Sequence, residues 1–144
     1  MIIREIKPED REEYLKMSAE FYSSPAVLAD IPASYREGAF EEYVRGTHAK
    51  CFILEEDGKY AGYGIVAFLY MQEAGGFCTF FDELYVREQY RSRGFGRQYF
   101  DFVFKKYPSA LNLLEVEEEN VRAISLYKRL GFSPREYKLM QKQE

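Results

Sequence analysis

The residues best suited to chemistry lie in one short stretch, Tyr85–Arg97, where a predicted strand passes through a turn into a predicted helix. The first amides of a helix have no partner within it and lie at its positive end, so they bind anions that approach the backbone closely. Gly94 and Gly96 lack the side chains that would block this approach. Three arginines add charge: Arg91, Arg93 and Arg97. Because guanidinium forks match phosphate oxygens, the stretch predicts a phosphate-binding turn.

This turn differs from the two most familiar phosphate-binding loops. The chain has no GxxxxGK followed by Ser or Thr, so it is not a P-loop. It also has no GxGxxG after a first strand with an acid about 20 residues further on, which a dinucleotide-binding fold would require. Another kind of phosphate- or nucleotide-binding protein stays open on the turn alone.

Two blocks of residues, in this order, resemble the GCN5-related N-acetyltransferase (GNAT) family. The first is Arg91-x-x-Gly94-x-Gly96, which is similar to the family's pyrophosphate-binding motif and is preceded at the family's distance by Glu83–Val86. The second lies within Asn120–Phe132 and reads Asn-x-x-Ala-x-x-x-Tyr followed by a Gly-Phe pair. The Arg91–Gly96 spacing alone is a weak signal, but the two blocks together on the expected elements are a strong one.

The resemblance implies an acetyl-coenzyme A-dependent N-acetyltransferase that needs no metal. The expected reaction is direct attack by a primary amine of a small molecule or peptide on the thioester. The alternative is a non-catalytic member that binds acetyl-coenzyme A as a sensor or interaction module. Dimers are common in the family, and the residues themselves neither favour nor exclude a homodimer.

The resemblance also implies where the coenzyme binds. Two parallel strands, 77–86 and 110–116, are expected to splay apart so that the pantetheine arm lies between them, where its amides can pair with a strand edge. A backbone N–H near Val86 would then polarise the thioester carbonyl. The expected coenzyme-binding residues are Leu84, Tyr85, Val86, Arg91, Ser92, Arg93, Gly94, Phe95, Gly96, Arg97, Asn120 and Ala123.

Three residues are candidates for proton transfer, namely Tyr127, Asp82 and Glu83. Tyr127 falls where the family places a tyrosine that protonates the departing thiolate; the alternative is a packed core tyrosine. Asp82 is the first candidate for accepting the proton of the amine, and Glu83 the second. Strand alternation places the two acids on opposite faces unless a bulge intervenes, with Asp82 on the face of Phe80 and Leu84. Either acid alternatively attracts a cationic substrate or pairs with an arginine.

The acceptor amine is expected between the first two helices, at 21–43, and in the loop at 71–77. These regions hold an aromatic, acidic set of side chains: Tyr22, Asp30, Tyr35, Glu37, Phe40 and Tyr43. Such a wall suits a cationic amine, for example a polyamine or amino sugar. A peptide N-terminus or a lysine side chain stays open.

The elements that must position these residues follow from periodicity and caps. A first strand, 1–6, precedes a helix to Ser23 and a second helix from the capping-box pattern at Ser34–Glu37 to Arg45. Strands at 49–55, 60–71 and 77–86 come next, then a helix at 94–106, a strand at 110–116, a helix at 120–130 and a last strand at 135–141. The predicted fold is a single α/β domain, 1–144. Its mixed sheet is mostly antiparallel, with one parallel splayed strand pair and flanking helices, as in the acyl-CoA N-acyltransferase fold.

Composition narrows the partners and the location. The 144 residues carry a formal net charge of −4, which disfavours binding to nucleic acid. The charged first residues predict no signal peptide, and no apolar run approaches the roughly 20 residues of a membrane span. A cytoplasmic protein without membrane partners is therefore expected. His48 is expected at the surface, and Cys51 and Cys78 as buried free thiols.

Overall fold

A five-stranded sheet forms the centre of the computed structural model, which describes residues Met1–Glu144. The strands, in both chain order and sheet order, are β1 (Ile2–Glu5), β2 (Ala49–Glu56), β3 (Lys59–Met71), β4 (Gly76–Val86) and β5 (Leu111–Leu114). The first three neighbouring pairs are antiparallel and the β4–β5 pair is parallel. The predicted mixed sheet is confirmed.

Four helices cover the two faces of this sheet: α1 (Arg11–Tyr22), α2 (Ala33–Arg45), α3 (Phe95–Lys106) and α4 (Val121–Arg129). Two single-turn 3₁₀ helices, Pro8–Asp10 and Glu88–Tyr90, precede α1 and α3. One apolar cluster joins α1 and α2 to one face, while the other joins α3 and α4 to the opposite face. Cys51 and Ile53 of β2 belong to the first cluster and Phe52 and Leu54 to the second, as alternation along a strand buried on both faces requires.

Local signals placed several turns and caps correctly. Asp57 and Gly58 both have positive φ, 51° and 74°, which is the backbone of a tight β-hairpin turn between β2 and β3. At the start of α4 the Asn120 side chain accepts a hydrogen bond from the Ala123 amide at 3.3 Å. At its end Gly131 has a φ of 97°.

The predicted capping box of the second helix is wrong. Helix α2 begins at Ala33, with Pro32 in the capping position and no side-chain hydrogen bond to the first turn. Ser34 therefore lies inside the first turn, where its hydroxyl cannot cap. Pro32 has a φ of −60°, and its ring favours this value, so it starts the helix two residues before the polar pattern suggests.

The predicted last strand at 135–141 is also wrong. Residues 133–144 are all exposed and form neither helix nor strand. The segment touches the rest of the chain through the Tyr137 hydroxyl, which donates to a carboxylate oxygen of Glu73 at 2.9 Å. A strand needs a sheet edge that accepts its backbone, and no backbone hydrogen bond joins this segment to β5.

Candidate active site

An open strand edge lies at the centre of the site. The parallel pairing of β4 with β5 runs from Cys78 opposite Leu111 to Phe81 opposite Leu114. There β5 ends, whereas β4 continues to Val86 and stays paired with β3 on its other side. The backbone of Asp82–Val86 is therefore not paired with β5 and faces the gap beyond it. This agrees with the expected divergence of the two parallel strands.

A β-bulge lies where the open edge begins. Phe81 pairs with Val66 and Glu83 pairs with Ile65, so Asp82 is an extra residue without a partner on β3. Phe81, Leu84 and Val86 all belong to the cluster under α3 and α4, which strict alternation would not allow. The bulge thus breaks the alternation on which the expected face of Asp82 was based.

Glu83 is held by two tyrosines on the α1–α2 face. Its carboxylate accepts hydrogen bonds from the Tyr22 hydroxyl at 2.5 Å and from the Tyr63 hydroxyl at 2.8 Å. Burial is the largest influence and raises the pKa of Glu83; the two tyrosine hydrogen bonds lower it, and the charge of Asp82 raises it. The net direction is upward. A half-buried carboxylate without a cationic partner is suited to accept a proton or to attract an ammonium group.

Asp82 has different surroundings, although it is the next residue in the chain. Its side chain is exposed and makes no hydrogen bond within the protein. Nearby protein reduces its solvation and raises its pKa, and the carboxylate of Glu115 adds to this effect. Neither Asp82 nor Glu83 forms an ion pair with an arginine, so that alternative for the two acids is excluded. Glu83 is held by two hydrogen bonds, and Asp82 has none within the protein.

Tyr127 lies on α4 and packs between aromatic rings. Its ring centroid is 5.7 Å from that of Phe100 and 6.1 Å from that of Phe132. It packs against the same cluster as Leu84 and Val86 of the open edge. Burial is the one cause that raises the pKa of its hydroxyl, since no hydrogen bond to another residue contributes. Tyr127 therefore combines a packed ring with a hydroxyl that is free to bond a ligand.

The turn from β4 to α3 has the backbone of an anion site. Gly94 precedes the helix with a φ of 80°, and Ser92 has a φ of 61°, which few residues other than glycine adopt. The first amide bonded within the turn of the helix is that of Gln98, which donates to the Gly94 carbonyl at 3.0 Å. The amides of Phe95–Arg97 consequently have no helical partner.

Gly96 serves close packing as well as access. A Cβ built on this residue would lie 3.2 Å from Leu126 Cδ2 and 3.7 Å from Leu84 Cδ2. Glycine thus lets the first turn of α3 approach both α4 and the open edge of β4. The two sequence blocks meet at this point, although they are separate in the chain.

The predicted arginines surround the turn in different ways. Arg91 donates from Nε to the Val86 carbonyl at 2.8 Å and lies over the Tyr85 ring. Arg93 stacks on the rings of Tyr90 and Phe95, with its guanidinium carbon 5.2 Å from the Phe95 centroid. Arg97 makes a loose, exposed pair with Asp101 at 3.8 Å. Most of the guanidinium donors stay free for an anion.

Sequence reasoning missed two residues of this region, Tyr63 and Arg122, and it placed Tyr22 in the acceptor wall without connecting it with Glu83. The two tyrosines are separated from Glu83 by 61 and 20 positions, so no local pattern connects them with it. Arg122 donates to the Ser92 hydroxyl at 2.5 Å and so bridges α4 to the turn. Its place inside the Asn120–Tyr127 block was the one available signal.

Phe40, His48 and the two cysteines lie away from the open edge in different surroundings. Phe40 is in the core, 3% exposed and packed on Tyr14, so it is not part of an acceptor wall. The exposed His48 bonds Glu42 at 2.6 Å. Cys51 and Cys78 are buried free cysteines, as expected, and burial raises the pKa of the Cys51 thiol.

Two structural findings concern metals and membranes. No group of three or more His, Cys, Asp or Glu side chains is arranged to hold a metal ion. No helix has both the length and the apolar character that crossing a bilayer requires.

Comparisons with known proteins agree with this geometry. A family model described as "Acetyltransferase (GNAT) family" matches residues 12–132. No curated protein sequence matches the chain. The aminoglycoside N-acetyltransferase AAC(6′)-Iy, solved with the bisubstrate analogue CoA-S-monomethyl-acetylneamine, is 17% identical with a TM-score of 0.81, covering 99% of this chain and 97% of that one.

Two further solved structures have the same fold. A possible acetyltransferase from Clostridium difficile 630 is 16% identical with a TM-score of 0.85, covering 99% of this chain and 97% of that one. The ribosomal-protein-alanine N-acetyltransferase from Brucella melitensis biovar Abortus 2308 is 15% identical with a TM-score of 0.78, covering 99% and 100%. At these identities the likeness shows the fold.

Proposed function

Because this chain belongs to the acetyltransferase (GNAT) family, we propose that it moves the acetyl group of acetyl-coenzyme A onto a primary amine of a small molecule or peptide by direct attack. The observation that carries this proposal is the continuity of two binding features. The open edge of β4, Asp82–Val86, leads through a short turn to the unpaired amides at the start of α3. This continuous surface, from the open edge of β4 to the start of α3, suits a ligand that carries amides at one end and anionic groups at the other.

The chemistry of acetyl-coenzyme A matches this surface. Its pantetheine arm carries two amides, which can pair with the backbone of Leu84–Val86 as a peptide strand would. Its diphosphate suits the amides of Phe95–Arg97 and the arginines around them. The left-handed backbone at Gly94 and the open space beside it support close approach of the phosphate oxygens, since a built Cβ there meets nothing nearer than 3.9 Å.

Asp82 and Glu83 are the proposed proton acceptors for the incoming amine. Most alkyl amines are protonated at neutral pH, so the attacking amine must lose a proton directly or through water. Asp82 is exposed beside the open edge and makes no hydrogen bond within the protein, which supports direct contact with the amine. Glu83 is held on the α1–α2 face with a raised pKa, which supports a role in attracting the ammonium group or taking its proton.

Tyr127 is the proposed general acid. Breakdown of the thioester leaves a thiolate, which a nearby hydroxyl can protonate or stabilise by a hydrogen bond. The Tyr127 hydroxyl is free of protein partners, and its ring is fixed by Phe100 and Phe132. Ala123 and Asn120 lie on the same side of α4 as Tyr127, about one turn and two turns closer to its start, and are proposed to line the coenzyme site.

A cationic amine is the proposed class of acceptor. The two carboxylates of Asp82 and Glu83 have no arginine partner, and the Tyr22 hydroxyl donates to Glu83 at 2.5 Å. Burial is the largest cause that raises the pKa of the Tyr22 and Tyr43 hydroxyls, and the negative charges of both acids raise it further. An aromatic and acidic wall attracts ammonium groups. The aminoglycoside enzyme of the same fold has an acceptor of this class in its bisubstrate complex.

The test is release of free thiol from acetyl-coenzyme A in the presence of a panel of amines. The panel contains a polyamine, an aminoglycoside, a peptide with a free N-terminus, a lysine derivative and an anionic amino acid. Turnover with the cationic members is expected. Higher activity with neutral or anionic amines would contradict the cationic class, and coenzyme binding without turnover of any amine would favour the sensor alternative.

A further inference from the structure

Arg122 joins α4 to the phosphate-binding turn. Its Nη2 donates to the hydroxyl of Ser92 at 2.5 Å, across 30 positions of sequence. The side chain is exposed and has no carboxylate partner within 4.0 Å, in contrast to Arg4, Arg45 and Arg87. An exposed arginine that bonds a neutral hydroxyl keeps its full positive charge available to another ligand.

The position of Arg122 at the turn is set by packing. Leu126 lies one helical turn further along α4 and packs on Gly96. The packing is close, because a Cβ built on Gly96 would lie only 3.2 Å from Leu126 Cδ2. Residues 122 and 126 share one face of α4, because residues four apart are neighbours on a helix. The contact of Leu126 with Gly96 thus directs this face, and with it the Arg122 guanidinium, toward the start of α3.

The Ser92–Arg122 contact also prepares the turn for an anion. Ser92 has a φ of 61°, a conformation that costs free energy for a residue other than glycine and is retained when neighbours hold it. Its hydroxyl accepts from Arg122 and so keeps its own proton free to donate. One guanidinium donor is used and four remain, in a fork that fits phosphate oxygens.

The charge around the turn is unbalanced in an otherwise acidic chain. The protein has a formal net charge of −4. At the start of α3, however, three arginines of the turn and Arg122 are opposed by one loose acidic partner, Asp101 at 3.8 Å from Arg97. Four cations beside a positive helix end repel one another, and a bound phosphate relieves this repulsion.

We propose that Arg122 is a further coenzyme-binding residue, whose guanidinium contacts a phosphate group of acetyl-coenzyme A while Ser92 positions it. This inference depends on the proposed function, because it requires the coenzyme to bind at the turn. The coenzyme offers two sources of phosphate, the diphosphate and the 3′-phosphate. The same fork recognises either one.

The experiment measures the dissociation constant of acetyl-coenzyme A by calorimetry for the full chain and for Arg122→Gln. Loss of an exposed charge-assisted hydrogen bond is expected to weaken binding about tenfold. Arg122→Lys should recover part of the loss, because it restores the charge without the fork. Arg129→Gln is the matched control and should leave binding unchanged. Arg129 is also an exposed arginine of α4 that donates to a serine hydroxyl, but that serine, Ser125, lies in the same helix, at 2.7 Å.

The two sources of phosphate are separated with acetyl-dephospho-coenzyme A, which lacks the 3′-phosphate. If the tenfold effect of Arg122→Gln disappears with this ligand, the contact is with the 3′-phosphate. If the effect persists, the contact is with the diphosphate. A binding constant for Arg122→Gln within twofold of the parent for both ligands would overturn the inference.

A tethering role through Ser92 is separated with a double variant. If Arg122 contacts phosphate itself, Arg122→Gln still weakens binding in a Ser92→Ala background, and binding of the parent falls more steeply with salt than binding of the variant. If the double variant binds as well as Ser92→Ala alone, Arg122 merely holds the turn and the proposal is wrong. A parent protein that binds no acetyl-coenzyme A would instead refute the proposed function.

Discussion

Removal of the Tyr22 hydroxyl should raise the pKa of Glu83 further. The Glu83 carboxylate accepts from Tyr22 at 2.5 Å and from Tyr63 at 2.8 Å, and these bonds partly offset a burial effect that acts in the opposite direction. A hydrogen bond to a charged group contributes about 1.5–3 kcal/mol, and one pKa unit corresponds to about 1.4 kcal/mol. In Tyr22→Phe we therefore expect the pKa of Glu83 to rise by about one unit, the lower end of this range, because the site is only half-buried.

Tyr22→Phe should also lower the stability of the protein, and by an amount that depends on pH. Burial already raises the pKa of Glu83 above its value in the unfolded chain, so its contribution to stability is complete at low pH and is lost as the pH rises through the folded-state pKa. Tyr22→Phe makes the ionised form still less favourable. The free energy of unfolding of the variant, measured in urea, should fall below that of the parent by a margin that grows with pH above the ordinary glutamate range.

The same variant tests the role of Glu83 in the reaction. If Glu83 takes the proton of the amine, the acidic limb of the kcat/KM profile moves up by about one unit with its pKa. A second outcome is a difference in free energy of unfolding between the parent and Tyr22→Phe that grows with pH as expected while the acidic limb of the kcat/KM profile stays in place. In that case Glu83 does not take the proton, and Asp82 is the acceptor. A stability margin that is independent of pH would refute the reasoning about Glu83. Tyr60→Phe is the control, because Tyr60 donates to Asp10 at 2.7 Å and makes no hydrogen bond to Glu83.

Three further predictions concern the other proposed residues. Tyr127→Phe should lower kcat about 100-fold with little change in coenzyme affinity, as expected for a lost general acid. Tyr137→Phe is the control and should change neither quantity. Unchanged turnover of Tyr127→Phe would remove Tyr127 from the mechanism. Gly94→Ala should weaken coenzyme binding measured by calorimetry, because a φ of 80° costs an alanine about 1–2 kcal/mol and the turn is expected to shift. Gly58→Ala is the control: its φ of 74° imposes a similar strain far from the turn, and it should leave coenzyme binding unchanged. Asn120→Ala should lower the free energy of unfolding in urea by about 1 kcal/mol through loss of the α4 cap, and Asn120→Asp should restore it; equal stability of the two variants would contradict the capping role.

One local competitor and two long-range pairings explain which expectations failed. The capping box at Ser34 was a local pattern that competed with Pro32, and the rigid ring of the proline determined where α2 begins. The strand expected at 135–141 has the right alternation, but a strand is stable only when a neighbouring edge accepts its backbone, and β5 does not pair with it. The bulge at Asp82 likewise arises from pairing with β3, which the residues of β4 do not reveal by themselves.

The sequence by itself determined the turn at Ser92–Gly96 and the capped helix of Asn120–Gly131. Positive φ at glycine, helix caps and unpaired first-turn amides are properties of a few consecutive residues, so they can be read without knowledge of the rest of the chain. Only the tertiary structure decided that Glu83 is held while Asp82 is free, and that Arg122 reaches the turn. Their partners come from distant parts of the chain, and no spacing rule predicts a contact that forms only when α1 and α4 pack against opposite faces of one sheet.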